Sequence, residues 1–372
     1  MSEYENSRTY QDIHDQGRSL PETMEVLEAS RLPARALNEN RRFVFTGCGS
    51  SYYVGVCAAA LLRTLAGVDA RAVPASELWL LPEANISRDS LIVGISRTGT
   101  TTEVVRALEC ARCLGATTLA ISIGQEPRTF ELADLTIWLG HAGERAPAMT
   151  QSFSNLLLAA QYSAVAIAGA LDAPEAGIYH KGLGEVAGTI SGAMHGLDDR
   201  ARELAATGPK HLVFVGSGPH QGICAEAALK VQEMARLPVE SYAPLEFRHG
   251  PVAAVDGDSL VVMLSTPTSR PFDEIVCADT DLLGVPLARV VAEPPPGSGR
   301  GAADGTVRIP LSAPEWLMGN AALPFLQFLA YHLTVGLDRR PESIRYLDRS
   351  EHLHLDPHVV DLALNPHEPR RA

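Results

Sequence analysis

The sequence predicts an α/β protein built from two tandem doubly wound parallel-sheet domains related by internal duplication. Three observations carry that expectation. Phe43–Ser50 reads FVFTGCGS and Leu212–Pro219 reads LVFVGSGP, each an apolar strand running into Gly-x-Gly. Asp89–Ser96 reads DSLIVGIS and Asp258–Ser265 reads DSLVVMLS, and both pairs are offset by the same 169 residues. One offset shared by two independent elements marks two copies of one unit. Finally, continuous apolar runs of four to six residues alternate with amphipathic helical runs, the pattern of strands covered on both faces.

Taken in order, residues 1–40 read as a helical arm. In the first copy (41–173) the strand FVFTG leads into the helical run VGVCAAALLRTLAG. A short strand around ARAVPA follows, then the strand SLIVGIS, the helix TTTEVVRALECARCLG and the strand TTLAIS. The apolar helix QSFSNLLLAAQYSAVAIAGAL closes the copy. A Pro-Glu-Ala-Gly stretch after Leu171 and a helix over 174–200 connect it to the second copy. There (201–345) the order repeats as LVFVG, the helix CAEAALKVQEMARL, SLVVMLS, ARVVAE and the closing helix LPFLQFLAYHLTVGL. Five strands per sheet are expected. The run PPPGSGRGAADG at Pro294–Gly305 reads as a surface loop, and residues 346–372 as a polar tail.

Composition narrows the function. With 372 residues and 46% hydrophobic content the chain has material for sizeable cores, which excludes a disordered or disulfide-stapled protein. The net charge of −13 argues against non-specific nucleic-acid binding and against docking on an anionic membrane. An anionic small molecule remains compatible, because a few backbone N–H groups hold a phosphate locally. Six cysteines are too few for a disulfide scaffold, and Cys110 and Cys113, within one helix, read as packing residues. The polar, acidic N-terminus has no signal-peptide h-region, and no apolar run reaches the ~18 residues of a membrane span. A cytoplasmic protein is expected.

Two places look chemical. Ser96-Arg97-Thr98-Gly99-Thr100-Thr101-Thr102 joins a buried strand to a helix, with five hydroxyls in seven residues. At the C-terminal edge of a parallel strand such donors suit a phosphate, beyond what one N-cap would need. Arg97 either adds charge to that loop or points to solvent. The first loop, Gly47-Cys48-Gly49-Ser50-Ser51-Tyr52, invites a dinucleotide reading, but Tyr52 replaces the third glycine and Asp69 precedes the next strand. No nicotinamide or other cofactor is expected. Downstream, Glu226, Lys230 and Glu233 lie at i, i+4 and i+7 on an otherwise apolar helix. That is a surface ion pair with an extra carboxylate, or a buried charge cluster that needs partners. Next comes His249 before Gly-Pro. A carboxylate and an imidazole beside a phosphate site could open a sugar ring and move its protons. The tail histidines His352, His354 and His358 read as an exposed extended segment, with no metal expected.

GCGSSY, SRTGTTTEV, the TQSF helix start, EAALKVQE and EFRHGP occur in an order that resembles the tandem sugar-isomerase (SIS) family, over about residues 40–350. That family includes the isomerase half of glucosamine-6-phosphate synthase, aminosugar-phosphate deaminases and ketose/aldose isomerases. The resemblance implies a sugar phosphate held by Ser96, Thr98 and Thr101, with Ser51 nearby and Arg97 in the same loop. It implies that Glu233 shuttles a proton between C1 and C2. It also implies that His249 assists ring opening from a neighbouring subunit, hence a homodimer with shared sites. Gly49, Ser50, Glu226 and Lys230 complete the candidate substrate-binding set. Synthase-like members carry a C-terminal lysine where this chain has Arg349, which stays protonated and disfavours a covalent imine. Without a glutaminase domain or N-terminal catalytic cysteine, glutamine-dependent amide transfer is not expected. The implied activity is an aldose–ketose isomerase or deaminase of an (amino)hexose 6-phosphate. The alternative is a non-catalytic phosphosugar-binding regulator.

Overall fold

The computed structural model describes residues 7–30, 32–293 and 305–345. The long helix α1 (Arg8–Ala29) leads in, its first turn capped by Ser7, whose hydroxyl accepts from the Tyr10 N–H. The first sheet is built from β1 (Arg42–Gly47), β2 (Asp69–Pro74), β3 (Ser90–Ser96), β4 (Thr117–Ser122) and β5 (Leu135–Trp138). Its helices are α2 (Ser50–Ala66), α3 (Thr102–Cys113) and α4 (Gln151–Ala170). A 30-residue helix, α5 (Ala176–Ala205), leads to the second unit. There the strands are β6 (His211–Gly216), β7 (Val239–Tyr242), β8 (Ser259–Leu264), β9 (Leu287–Glu293) and β10 (Thr306–Pro310). The helices are α6 (His220–Lys230), α7 (Arg270–Leu283) and α8 (Met318–Gly336).

Strand order is β2-β1-β3-β4-β5 in one sheet and β10-β9-β8-β6-β7 in the other, all pairings parallel. Read from its far edge, the second order is that of the first, so the duplication is one of topology as well as sequence. In each sheet the order reverses beside the first strand. The loops after β1 and β3 therefore flank a crevice at the carboxyl edge, where open α/β sheets bind ligands.

Side chains alternate across the sheets with the two-residue period of a strand. Phe43, Phe45, Leu91, Val93 and Ile95 join Leu212, Phe214, Leu260 and Val262 in one core that runs between the sheets through α1, α2, α4, α5, α6 and α8. Val44 and Ile92 face outward onto Val104 and Leu108 of α3, and Val213 and Val261 onto Val276 of α7. Helix α4 is long and apolar enough to cross a membrane by composition, but most of it is buried in this core.

Three features depart from the sequence expectations. The helix expected over CAEAALKVQEMARL ends at Lys230 and widens into a π turn over Val231–Ala235. Arg236 N–H reaches back five residues to the Val231 carbonyl, and Arg236 itself is left-handed at φ 52°. The edge strands β5, β7 and β10 are short and partly exposed, too brief for a period to show. Of the two cysteines read as packing residues, Cys110 packs against the outer core, but Cys113 is exposed. Most of the run Pro294–Gly305 lies outside the described residues.

Candidate active site

The first loop emerges from β1 with Gly49 at φ 54°, a conformation open to glycine at little cost, and starts α2 at Ser50. Ser50 and Ser51 are both buried. The hydroxyl loop leaves β3 beside it. Gly99 turns at φ 73°, and a Cβ there would lie 2.2 Å from Pro127, so glycine is required. Gly99 N–H donates to Ser96 Oγ at 2.9 Å, Ser96 and Thr101 hydroxyls are 3.1 Å apart, and Thr100 N–H donates to Thr98 Oγ1 at 3.3 Å. Ser96, Thr98, Gly99 and Thr101 thus form one preorganised hydroxyl-lined turn leading into α3. Arg97 neither joins that turn nor points to solvent. Its guanidinium donates to the Pro147 carbonyl at 3.0 Å and lies 3.9 Å from Glu144.

Helix α6 comes from the other copy and crosses α2 closely, since a Cβ on Gly222 would lie 2.5 Å from Cys57 Sγ and 2.6 Å from the Tyr53 carbonyl. That approach carries its charges to the first loop. Ser50 Oγ donates to Glu226 Oε1 at 3.1 Å, and Lys230 Nζ donates to Ser50 Oγ at 3.2 Å. Lys230 Nζ is 3.4 Å from Glu226 and 2.5 Å from Glu233. Of the two sequence readings, the buried cluster is the one observed: Glu226 and Lys230 are 1% exposed, while Glu233 keeps 19% of its side chain accessible. The π turn displaces Glu233 from plain helical spacing and leaves it partly open.

One cation cannot neutralise two carboxylates in a dry site. Lys230 is closer to Glu233. Burial pushes Glu226 up to about 8, the lysine opposing this and Glu233 reinforcing it, and Glu226 Oε2 has no hydrogen-bond partner. Burial would lower Lys230, but Glu226, Glu233 and Glu144 together raise it, so it stays charged. The cluster is therefore best described as a Lys230–Glu233 ion pair beside a Glu226 carboxyl that burial pushes towards its protonated form.

Sequence reasoning missed Glu144. This fully buried carboxylate takes the Thr150 hydroxyl at 2.7 Å, the Thr150 N–H and the Ser152 hydroxyl, and so caps the start of α4. Its burial raises it above the ordinary carboxylate range. The signal was present as a Glu shortly before the TQSF helix start. His249 sits on an exposed turn after β7, its N–H bonded to the Glu246 carbonyl, and among the described residues it forms no hydrogen bond or ion pair with the Glu233 cluster. Arg349 and the three tail histidines lie outside the described residues. Among the described residues no His, Cys, Asp and Glu groups cluster so as to hold a metal ion.

Comparison with known proteins agrees with the two-copy fold. The SIS domain family matches residues 36–166 and 207–274, one segment in each copy. The chain belongs to the SIS domain family. It is 30% identical over 269 residues to the glutamine–fructose-6-phosphate aminotransferase (isomerizing) of Xylella fastidiosa strain Temecula1, covering 68% of this chain and 44% of that protein. The chain spans about half the length of the curated relatives it matches. Among solved structures, the C-terminal domain of glucosamine-fructose-6-phosphate aminotransferase from Francisella tularensis superposes with a TM-score of 0.80 at 20% identity. That match covers 90% of this SIS chain and 97% of the other. Glucosamine-6-phosphate deaminase from Thermotoga maritima gives 0.74 at 25% identity, covering 93% and 100%.

Proposed function

We propose that this SIS protein is an enzyme that moves a proton between C1 and C2 of an (amino)hexose 6-phosphate. The leading activity is deamination with aldose–ketose isomerisation, as the name of its Thermotoga maritima neighbour indicates for that protein; plain phosphosugar isomerisation is the second reading. The observation that carries the proposal is the bridge Glu226–Ser50–Lys230–Glu233. It holds a carboxylate-bearing helix of the second copy against the loop after β1, and the hydroxyl turn follows the neighbouring strand β3, which supports this reading.

In this reading Ser96, Thr98 and Thr101, with Ser51 nearby and the α3 N-terminus behind them, hold the phosphate. His249, brought in by a second subunit, opens the ring. Glu233 takes the C2 proton of the open-chain aldosamine, giving a cis-enolamine, and returns it to C1. The resulting C2 imine takes up water and releases ammonia, leaving the ketose phosphate. With a C2 hydroxyl instead of an amine, the same transfer passes through an enediol and stops at the ketose. Lys230 pairs with Glu233, the base, and Glu226 with Ser50 supports that pair from behind. A cytoplasmic homodimer, and division at 1–40, 41–173, 174–200, 201–345 and 346–372, belong to the same proposal.

The test is proton NMR in D2O with glucosamine 6-phosphate, and with fructose 6-phosphate in the presence and absence of ammonium. Deuterium entering C1 or C2 with release of ammonia supports the deaminase, and entry without ammonia supports the isomerase. Binding with no exchange in any of them turns the reading to a non-catalytic phosphosugar sensor.

A further inference from the structure

The duplication gives each residue of the first crevice a counterpart 169 positions later. Gly49 corresponds to Gly218, and both have φ 54°. A Cβ on Gly49 would meet nothing within 4 Å, whereas one on Gly218 would lie 3.2 Å from the Trp316 ring. The first crevice is open where the second is covered.

The hydroxyl loops differ in the same sense. Ser96 and Thr100 correspond to Ser265 and Ser269. Both serine hydroxyls donate to Asp273 Oδ2 at 2.6 Å, and Asp273 is fully buried with Oδ1 unpartnered. Its counterpart in the first copy is Val104, an apolar core residue. Thr268, at the position of Gly99, donates its N–H to Glu315 Oε2 at 3.0 Å and its hydroxyl to Oε1 at 2.6 Å. Hydroxyls and a backbone N–H just ahead of a helix are the donors a phosphate takes, and here two carboxylates hold them.

The catalytic side has diverged the opposite way. Glu226, Lys230 and Glu233 correspond to Cys57, Leu61 and Thr64, and Ser50 to Pro219, so the Ser50–Glu226 bridge cannot form twice. One copy keeps an open loop and an apolar helix; the other keeps the charged helix and a filled loop.

We propose that Asp273 and Glu315 are built-in anions that fill the second copy's hydroxyl loop, and that with Trp316 over the crevice they make it a latent phosphate site closed by the protein's own side chains. The inference rests on the reading that the first copy's loop binds phosphate. It is tested with crystals of the full chain soaked in inorganic phosphate, comparing wild type with the double variant Asp273→Ala/Glu315→Ala. Phosphate is expected in the first loop of both proteins, and in the second loop of the double variant alone. A second loop that stays empty in the folded double variant, or that fills in wild type, overturns the proposal.

Should the double variant not fold, Val104→Asp decides the matter by placing a carboxylate beside Ser96 and Thr100. Phosphate binding is expected to weaken by about tenfold or more in protein that still melts cooperatively, as like charge in one loop demands. Unchanged affinity overturns the proposal. Phosphate in the second loop of the double variant, but in the first loop of neither protein, would remove the proposed function and leave this inference standing.

Discussion

At the scale of single residues, the proposed chemistry depends on how one lysine is shared. Glu233→Gln keeps the shape of the base and removes its proton affinity. Phosphosugar binding should persist while turnover falls by about 10³-fold, the usual weight of a general base; calorimetric binding beside single-turnover rates checks this. Lys230→Met leaves the partly buried Glu233 carboxylate without its cation and should cost about 3–5 kcal/mol in urea unfolding. Adding Glu226→Gln to that variant should change little further, because without the lysine burial holds Glu226 protonated and Gln keeps its shape. A large recovery would mean that Glu226 is ionised beside the lysine. Glu226 also sets a pH dependence. Its folded pKa of about 8 lies above the ordinary 4.5, so between these values the folded state holds more protons than the unfolded one. Stability from this group is therefore greatest below about pH 4.5 and falls as pH rises towards 8. Glu226→Gln should flatten that slope in denaturant titrations run across the range.

At the scale of elements, the loops were legible and their docking was not. Five hydroxyls around a glycine, between a buried strand and a helix, identify the turn because few residue types satisfy free helix donors. The spacing of Glu226, Lys230 and Glu233 was equally plain. What spacing does not reveal is that α6 lies against α2, because Gly222 looks like any helical glycine until Cys57 is seen 2.5 Å from where its Cβ would be. Gly222→Ala should force the two helices apart, cost about 1–3 kcal/mol by overpacking, and lower turnover by separating Ser50 from Glu226. Denaturation and activity measured on the same preparation test it; a stable variant with full turnover would show that the close crossing does not matter. The π turn was hidden for a related reason. Which carbonyl Arg236 N–H chooses depends on the space left by α8, packed against that turn, and no local preference encodes it.

At the scale of the whole molecule, the two copies divide the proposed site between them. Neither a loop without the charged helix nor the helix without the loop makes the Ser50 bridge. In the proposal His249 adds a third party, since it is exposed and, among the described residues, forms no hydrogen bond or ion pair with the cluster in its own chain. If it completes the site of a partner subunit, Glu233→Gln and His249→Ala should each be inactive alone. Mixed and allowed to exchange subunits, they should regain turnover, because half the sites in a mixed dimer unite an intact Glu233 with an intact His249. Mixtures as inactive as the parents, with exchange shown by native mass spectrometry, would put His249 outside the shared site.

The sequence by itself determined the repeat, the parallel sheets, the hydroxyl turn and the identities of the charged residues, because these follow from local hydrophobic period and from residue chemistry. Tertiary structure decided which halves meet. It placed Lys230 closer to Glu233 than to Glu226 and turned Arg97 onto Glu144. It also filled the second loop with Asp273 and Glu315. All of these depend on burial and on which donors the fold leaves within reach, and short-range pattern carries no record of either.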